Sequence, residues 1–163
     1  MRHLKKCIVL RYIRGGVLPT QRLTAADYQA LAEFRYQIRT FLHFSDQAAH
    51  RAGLEPSQHQ VLLAVKGHPG EPTVGDLAER LHLRHHSVVG LLDRLAVRDL
   101  VRRSRGNGDR RQVRVRLTRK GDAILRRLSL EHRVELESGG DALLDALRVI
   151  VGRPRTHSTR QES

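Results

Sequence analysis

Val113, Val115 and Leu117 alternate with Gln112, Arg114 and Arg116, and that period of two constrains the fold more tightly than any other stretch of the chain. Alternation of this kind belongs to a strand with one face covered and one in solvent, because successive side chains point to opposite sides of the pleat. Leu100–Ser104 reads as a shorter strand before it. Between the two, Gly106-Asn107-Gly108-Asp109 supplies residues that tolerate positive φ and hydrogen-bond to nearby backbone, as a tight reversal requires. The expectation is a β-hairpin with an apolar face and an arginine face. Val101–Lys120 carries Arg102, Arg103, Arg105, Arg110, Arg111, Arg114, Arg116, Arg119 and Lys120 against one acid, Asp109. A stiff ribbon so charged suits the groove of a polyanion.

Composition bears on the same point. The net charge is +13, and its clustering beside the hairpin distinguishes it from a merely solvated surface. With 163 residues, 39% of them hydrophobic, the chain suits one domain with a modest core. Cys7 is the single cysteine, which excludes an internal disulfide and a Cys-rich zinc module and fits a reducing cytoplasm. Lys5 and Lys6 flank it, but no second thiol could resolve it, and it reads as incidental. Cys7-Ile8-Val9-Leu10 is too short for the apolar core of a signal peptide. No run approaches the ~20 apolar residues that span a bilayer. A cytoplasmic protein with no membrane partner is expected.

Helical signals fill the rest. Residues 1–22 lack periodicity and read as a basic arm. Thr24-Ala25-Ala26-Asp27 resembles a capping box and should open a long helix ending near Gly53. Its apolar set is Tyr28, Leu31, Phe34, Ile38, Phe41, Leu42 and Ala49. Pro56 introduces a second helix built on Val61, Leu62 and Val65. Thr73-Val74-Gly75-Asp76 caps a short third one, and after a turn at His82-Leu83 a fourth runs from about His85 to Arg98. Its buried face is Val88, Leu91, Leu92 and Leu95. Thr118 caps a helix leaving the hairpin, Gly139-Gly140 is expected to break it, and Ala142–Val151 should form a last helix. Pro154 onward reads as a polar tail.

Short helix, tight turn, helix and basic hairpin in that order make a winged helix-turn-helix, with the second helix suited to a major groove and the wing to the adjacent minor groove. The fold class expected is mainly α with a small β wing. On the second helix the candidate DNA-contacting residues are Arg84, His85, His86, Ser87, Val89 and Gly90, with Asp93 on the same face. Gly90 is a poor helix former, which either a close approach of DNA or room for a packing helix would justify. In the wing the candidates are Arg105, Arg110, Arg111 and Arg114, Asp109 serving to orient an arginine by a charge-assisted bond. Arg114 and Arg116 are equally readable as charges that blunt a solvated strand edge. His82, His85 and His86 also invite a zinc reading, but the turn between them spoils the spacing and no thiol or carboxylate lies nearby to complete a site, so no metal or other cofactor is expected. His86, Ser87 and Asp93 do not make a hydrolase, since adjacent helix positions face apart and no strand-turn-helix elbow presents the serine.

Several segments together resemble the multiple-antibiotic-resistance regulator (MarR) family over roughly residues 24 to 150. They are Leu54-Glu55-Pro56-Ser57-Gln58, Thr73 to Leu81, Val89 to Leu95 with Asp99-Leu100-Val101, and Asp109-Arg110-Arg111 followed by Leu117-Thr118-Arg119-Lys120-Gly121. The resemblance implies a homodimer pinned by its first and last helices, Arg111 in the minor groove and Asp109 orienting it. It also implies a small aromatic or phenolic ligand between the dimer helices and the winged region. Candidates to line that pocket are Phe41, Phe44, Gln47, His50, Arg51 and His59, a His or Arg51 serving as counter-charge to an acid, though these histidines are equally readable as packed core groups. His85-His86 and Gly90 depart from the family's usual residues, so base preference does not carry over. The implied organisation is a basic arm (1–22), a dimerisation helix (23–53), the winged region (54–118), C-terminal dimerisation helices (119–151) and a tail (152–163). The function these observations imply is a ligand-responsive homodimeric repressor on a pseudo-palindromic duplex. A winged-helix scaffold that docks protein or RNA is the alternative, and no nucleophile, base and oxyanion donors can be assembled for an enzyme.

Overall fold

Three threonines decide where three of the five helices begin. The structure, a computed structural model, describes residues 23–105 and 113–152. Helix α1 (Ala25–Arg51) opens on a reciprocal cap in which Thr24 Oγ1 accepts from the Asp27 amide at 3.3 Å and the Asp27 carboxylate accepts from the Thr24 amide at 2.7 Å. Thr73 and Asp76 repeat it at 3.2 and 2.8 Å to start α3 (Val74–Leu81). Donation to the Asp76 carboxylate from the Thr73 amide at 2.8 Å and the Thr73 hydroxyl at 2.9 Å holds that carboxyl below its ordinary pKa. Thr118 starts α5 (Arg119–Val151), accepting from the Gly121 amide at 3.0 Å while donating to the Asp99 carbonyl at 2.6 Å. Such caps contribute about 1 kcal/mol each. Helix α2 (Pro56–Gly67) has its proline in the first turn, where the missing N–H costs nothing.

Strands β1 (Val101–Arg105) and β2 (Val113–Leu117) pair antiparallel, Val101 opposite Leu117, Arg102 opposite Arg116 and Arg103 opposite Val115. The hairpin is anchored to the helix-turn-helix by a short third partner: the Val115 amide donates to the Pro72 carbonyl at 2.9 Å, and Thr73 bridges Arg114. Between α3 and β1 lies α4 (His85–Val97). One core runs through all of it. Leu54, Val61, Leu62, Leu77, Val88, Leu92, Leu95, Leu100, Val101, Val115, Leu125 and Leu128 are each at most 3% exposed. Ala48 and Ala49 of α1 join the same cluster. The buried set anticipated for α4 is the one found, and the alternation of β2 holds, with Val115 buried between exposed Arg114 and Arg116.

The expected break at Gly139-Gly140 does not occur. Helix α5 continues through both glycines to Val151, so the two anticipated C-terminal helices are one of 33 residues. Glycine in a helix interior costs about 1 kcal/mol against alanine, but it ends a helix only where the chain leaves through a left-handed residue. Among the described residues the one glycine with positive φ is Gly53, at the end of α1. Leu128 before the pair and Ala146 after it are both buried, so packing on either side holds the helix straight through.

Helices α1 and α5 pack against each other and leave apolar side chains uncovered. Tyr28, Tyr36 and Leu42 on α1 and Leu130, Val134, Leu144 and Val151 on α5 are each 46% exposed or more. No helix among the described residues is long and apolar enough to cross a membrane.

Gly121 is fixed by contact. A Cβ there would collide with the Leu100 carbonyl oxygen and crowd its carbon. Gly121→Ala should therefore destabilise the fold by about 1–3 kcal/mol through overpacking, read as a lower urea midpoint at unchanged slope.

Candidate nucleic-acid interface

The turn between α3 and α4 is built by His82, which takes left-handed φ (53°) at the end of α3, with the Leu83 amide closing on the Ala78 carbonyl at 3.0 Å. It delivers Arg84 as the N-cap of α4. That end is open in two senses: no side chain caps it, and its first turn contains no acid. Its free amides and dipole thus present positive potential with nothing of the protein's own to absorb it. Arg84, His85 and His86 are exposed around this end. Ser87 is half-buried behind them.

Two of the expected contact positions look different in three dimensions. Val89 is half-buried and packs against the core, so its side chain is partly committed inward. Gly90 has space: a Cβ there would meet the tip of Arg94 at 3.6 Å, an ordinary contact. Room for a packing helix therefore does not explain this glycine.

The wing carries Arg102, Arg114 and Arg116 on its exposed side. Arg102 and Arg116 stand directly opposite each other, which is unfavourable unless a counter-charge is near; Asp99 lies 3.8 Å from Arg102. Arg114 Nη1 sits 3.5 Å from the Glu71 carbonyl, a long and weak bond that leaves its charge available. Arg105 is the last residue of β1. Asp109, Arg110 and Arg111, the expected wing tip, lie outside the described residues, as do Cys7 and the N-terminal arm.

Arg103 was not singled out from the sequence. It bonds the Asp93 carboxylate at 2.8 Å and the Val89 carbonyl at 3.1 Å, joining β1 to the middle of α4. The signal was present: a period of two starting at buried Val101 puts residue 103 on the inward face, where a guanidinium needs partners. One side chain thereby ties wing to helix and offsets the charge of Asp93.

The residues expected to line a ligand pocket divide. Phe41 and His59 do line a cavity of about 460 Å³ between α1, α2 and α5, together with Ser45, Leu63, His132 and Leu136. Phe44 lies behind it, edge-on to His132 at 5.6 Å. Gln47 bonds His43 along the exposed side of α1, and His50 is exposed nearby. Arg51, the expected counter-charge, lies 3.6 Å from Glu131 and over the Phe44 ring instead. His132, the polar centre of this region, was missed because its partners are distant in sequence, Ser45 on α1 being 87 residues away and His59 lying on α2.

Residues 52–112 match the model of the MarR family. Among curated proteins, the chain is 33% identical over 76 residues to the HTH-type transcriptional repressor MdtR of Bacillus subtilis, covering 47% of this chain and 48% of that protein. The chain thus spans about half the length of the curated relatives it matches. A MarR family protein from Bacillus stearothermophilus superposes with a TM-score of 0.63 at 23% identity, over 72% of this chain and 81% of that one. The M. tuberculosis transcriptional regulator MOSR, solved in complex with DNA, gives 0.50 at 28% identity over 64% and 75%.

The Arg103–Asp93 tie has a measurable size. A double-mutant cycle of Arg103→Ala and Asp93→Ala, followed by urea unfolding, should return a coupling of about 0.5–1 kcal/mol, modest because Asp93 is well exposed.

Proposed function

We propose, from the match of residues 52–112 to the model of the MarR family, that this chain is a duplex-DNA-binding transcriptional regulator, working as a homodimeric repressor released by a small ligand. The observation that carries the reading is the open start of α4, uncapped, free of acids and ringed by Arg84, His85 and His86. Base edges in a major groove need such an approach. Arg102, Arg114 and Arg116 would then take phosphates, with Arg105, Arg110 and Arg111 at the wing end of the hairpin towards the minor groove and Asp109 orienting one of them.

The uncovered apolar residues of α1 and α5 favour a second copy as the partner. A two-fold pair would set recognition helices about 34 Å apart, matching half-sites ~10 bp centre to centre in a pseudo-palindrome. The cavity beside Phe41 and His59 is mostly apolar with a few convergent polar groups, the composition of a small-molecule site, and a small aromatic or phenolic ligand is its proposed occupant. A cytoplasmic location follows from this role, and the role is one of binding, not catalysis.

Salt titration on duplex DNA tests the core of the proposal. With about 6–10 phosphates neutralised per dimer, affinity should fall roughly 10³–10⁵-fold between 50 and 200 mM salt. Indifference to duplex DNA would remove the reading and favour a protein- or RNA-docking scaffold. In gel shifts Arg111→Ala should weaken binding several-fold while the protein stays folded. Gly90→Ala should raise thermal stability, by up to about 1 kcal/mol, yet lower operator affinity, because α4 then loses its closest approach. Unchanged affinity in that variant would discard the close-contact role of Gly90.

A further inference from the structure

Two histidines meet where α1, α2 and α5 converge. His59 of α2 is 3% exposed, and its Nδ1 is buried without a hydrogen-bond partner. Its ring lies 4.9 Å from that of His132 on α5. His132 is held from both sides. Its Nδ1 is 2.6 Å from the Leu128 carbonyl, which only accepts, so that nitrogen carries a proton; its Nε2 is 2.8 Å from Ser45 Oγ on α1. Phe41 closes edge-on over the same ring. A leucine at position 59 would fill this space without leaving a polar atom unsatisfied. Packing alone therefore does not account for an imidazole here.

We propose that the His59–His132 contact is a proton-operated release, in which uptake of a proton at His59 forces α2 away from α5 and loosens the grip of the winged helix on DNA. The output rests on the DNA-binding reading above, but the sensor does not. Next to His59, Gln58 Oε1 lies 3.4 Å from Arg98 Nη1, and the same nitrogen donates to the Gly53 carbonyl at 2.8 Å. Arg98 is the residue that ends α4. Movement of the start of α2 is thus felt at the end of the recognition helix.

The charges around His59 come from two helices. Burial first, and His132 on α5 second, push its pKa below 6.5; Asp46 on α1 pulls the other way and is outweighed. Arg133 and Glu137 on the cavity wall bond each other at 2.7 Å, and α2 adds only the uncharged Gln58 and Gln60 nearby. The sign follows. Above about pH 6.5 His59 is neutral in both folded and unfolded chains. Below it the unfolded chain takes a proton that the folded chain refuses, so stability falls with pH until the lowered folded-state pKa is reached.

Urea unfolding of the full chain and of His59→Leu, from pH 7.5 to 5.5, decides the sensor. Relative to the variant, the wild type should lose up to about tenfold in its folding equilibrium per pH unit below 6.5. Parallel curves would overturn the proposal. Should His59→Leu fail to fold, the ring proton signal of His59 in the wild type, assigned with His59→Gln, decides instead: its titration midpoint should lie below 6.5, and a midpoint at 6.5 or above overturns the idea. For the output, wild-type affinity for duplex DNA should fall several-fold against that of His59→Leu over the same range, and a constant ratio would refute release. No duplex binding at any pH would retract the DNA reading, and the unfolding curves alone would then judge the sensor.

Discussion

The carbonyl of Leu100 is the point on which the arrangement turns. It accepts from the Thr118 amide at 3.1 Å and has α5 lying so close that only glycine fits at position 121. Asp99 just before it takes left-handed φ (54°), and its own carbonyl receives the Thr118 hydroxyl. Lys120 reaches back to the Arg98 carbonyl at 3.0 Å. The end of α4, both strands of the wing and the start of α5 therefore share one hydrogen-bonded junction. Side chains tens of residues apart are positioned by it, since the angle at which the wing leaves α4 is set there.

From this junction the charge distribution becomes intelligible. Alternation along β1 and β2 puts Arg102, Arg114 and Arg116 on one face, where water and salt solvate them, and Arg103 on the other, where it bonds Asp93 and the Val89 carbonyl while remaining exposed. The same residue type thus does two jobs on neighbouring positions. The outer arginines keep a mobile, available charge. Arg103 gives up part of its freedom to join hairpin and helix, and its charge offsets that of Asp93.

How much of this the sequence declared depends on the range of the interaction. Caps, the α4 stripe and the period of β2 are local, governed by residues three or four apart or alternating, and Thr24, Thr73, Thr118 and Val115 behave as their neighbours dictate. Gly139-Gly140 misled for a physical reason: glycine lowers helix propensity locally, but buried Leu128 and Ala146 on either side set the outcome through packing. The ligand-pocket residues were half legible. Helical spacing puts Phe41 on the buried side of α1, whereas Arg51 and His50 turn towards Glu131 and solvent, and His132 belongs to the site through contacts that no local pattern encodes. The Asp93–Arg103 pair was readable, had the period of β1 been extended by one inward position.

The proposed pairing of a chain of charge +13 with itself raises the question of how two such copies tolerate one another. The answer is separation. The apolar residues left uncovered lie on α1 and α5, while the arginines of the wing and the open end of α4 belong to the other end of the fold. In a two-fold pair with recognition helices about 34 Å apart, the distance is several Debye lengths at ~0.15 M salt, so the mutual repulsion is largely screened. What screening does not provide is a fixed neutralising partner, and a surface whose charges are spaced and exposed gains most from a polymer that brings its anions at fixed intervals. Duplex DNA does so, and the counterions it sheds on contact supply the driving force. In the proposed reading, association through the apolar surface of α1 and α5 and engagement of a duplex through charge use different elements of one core, which leaves the seam between α1, α2 and α5 as the place where a ligand or a proton can influence both.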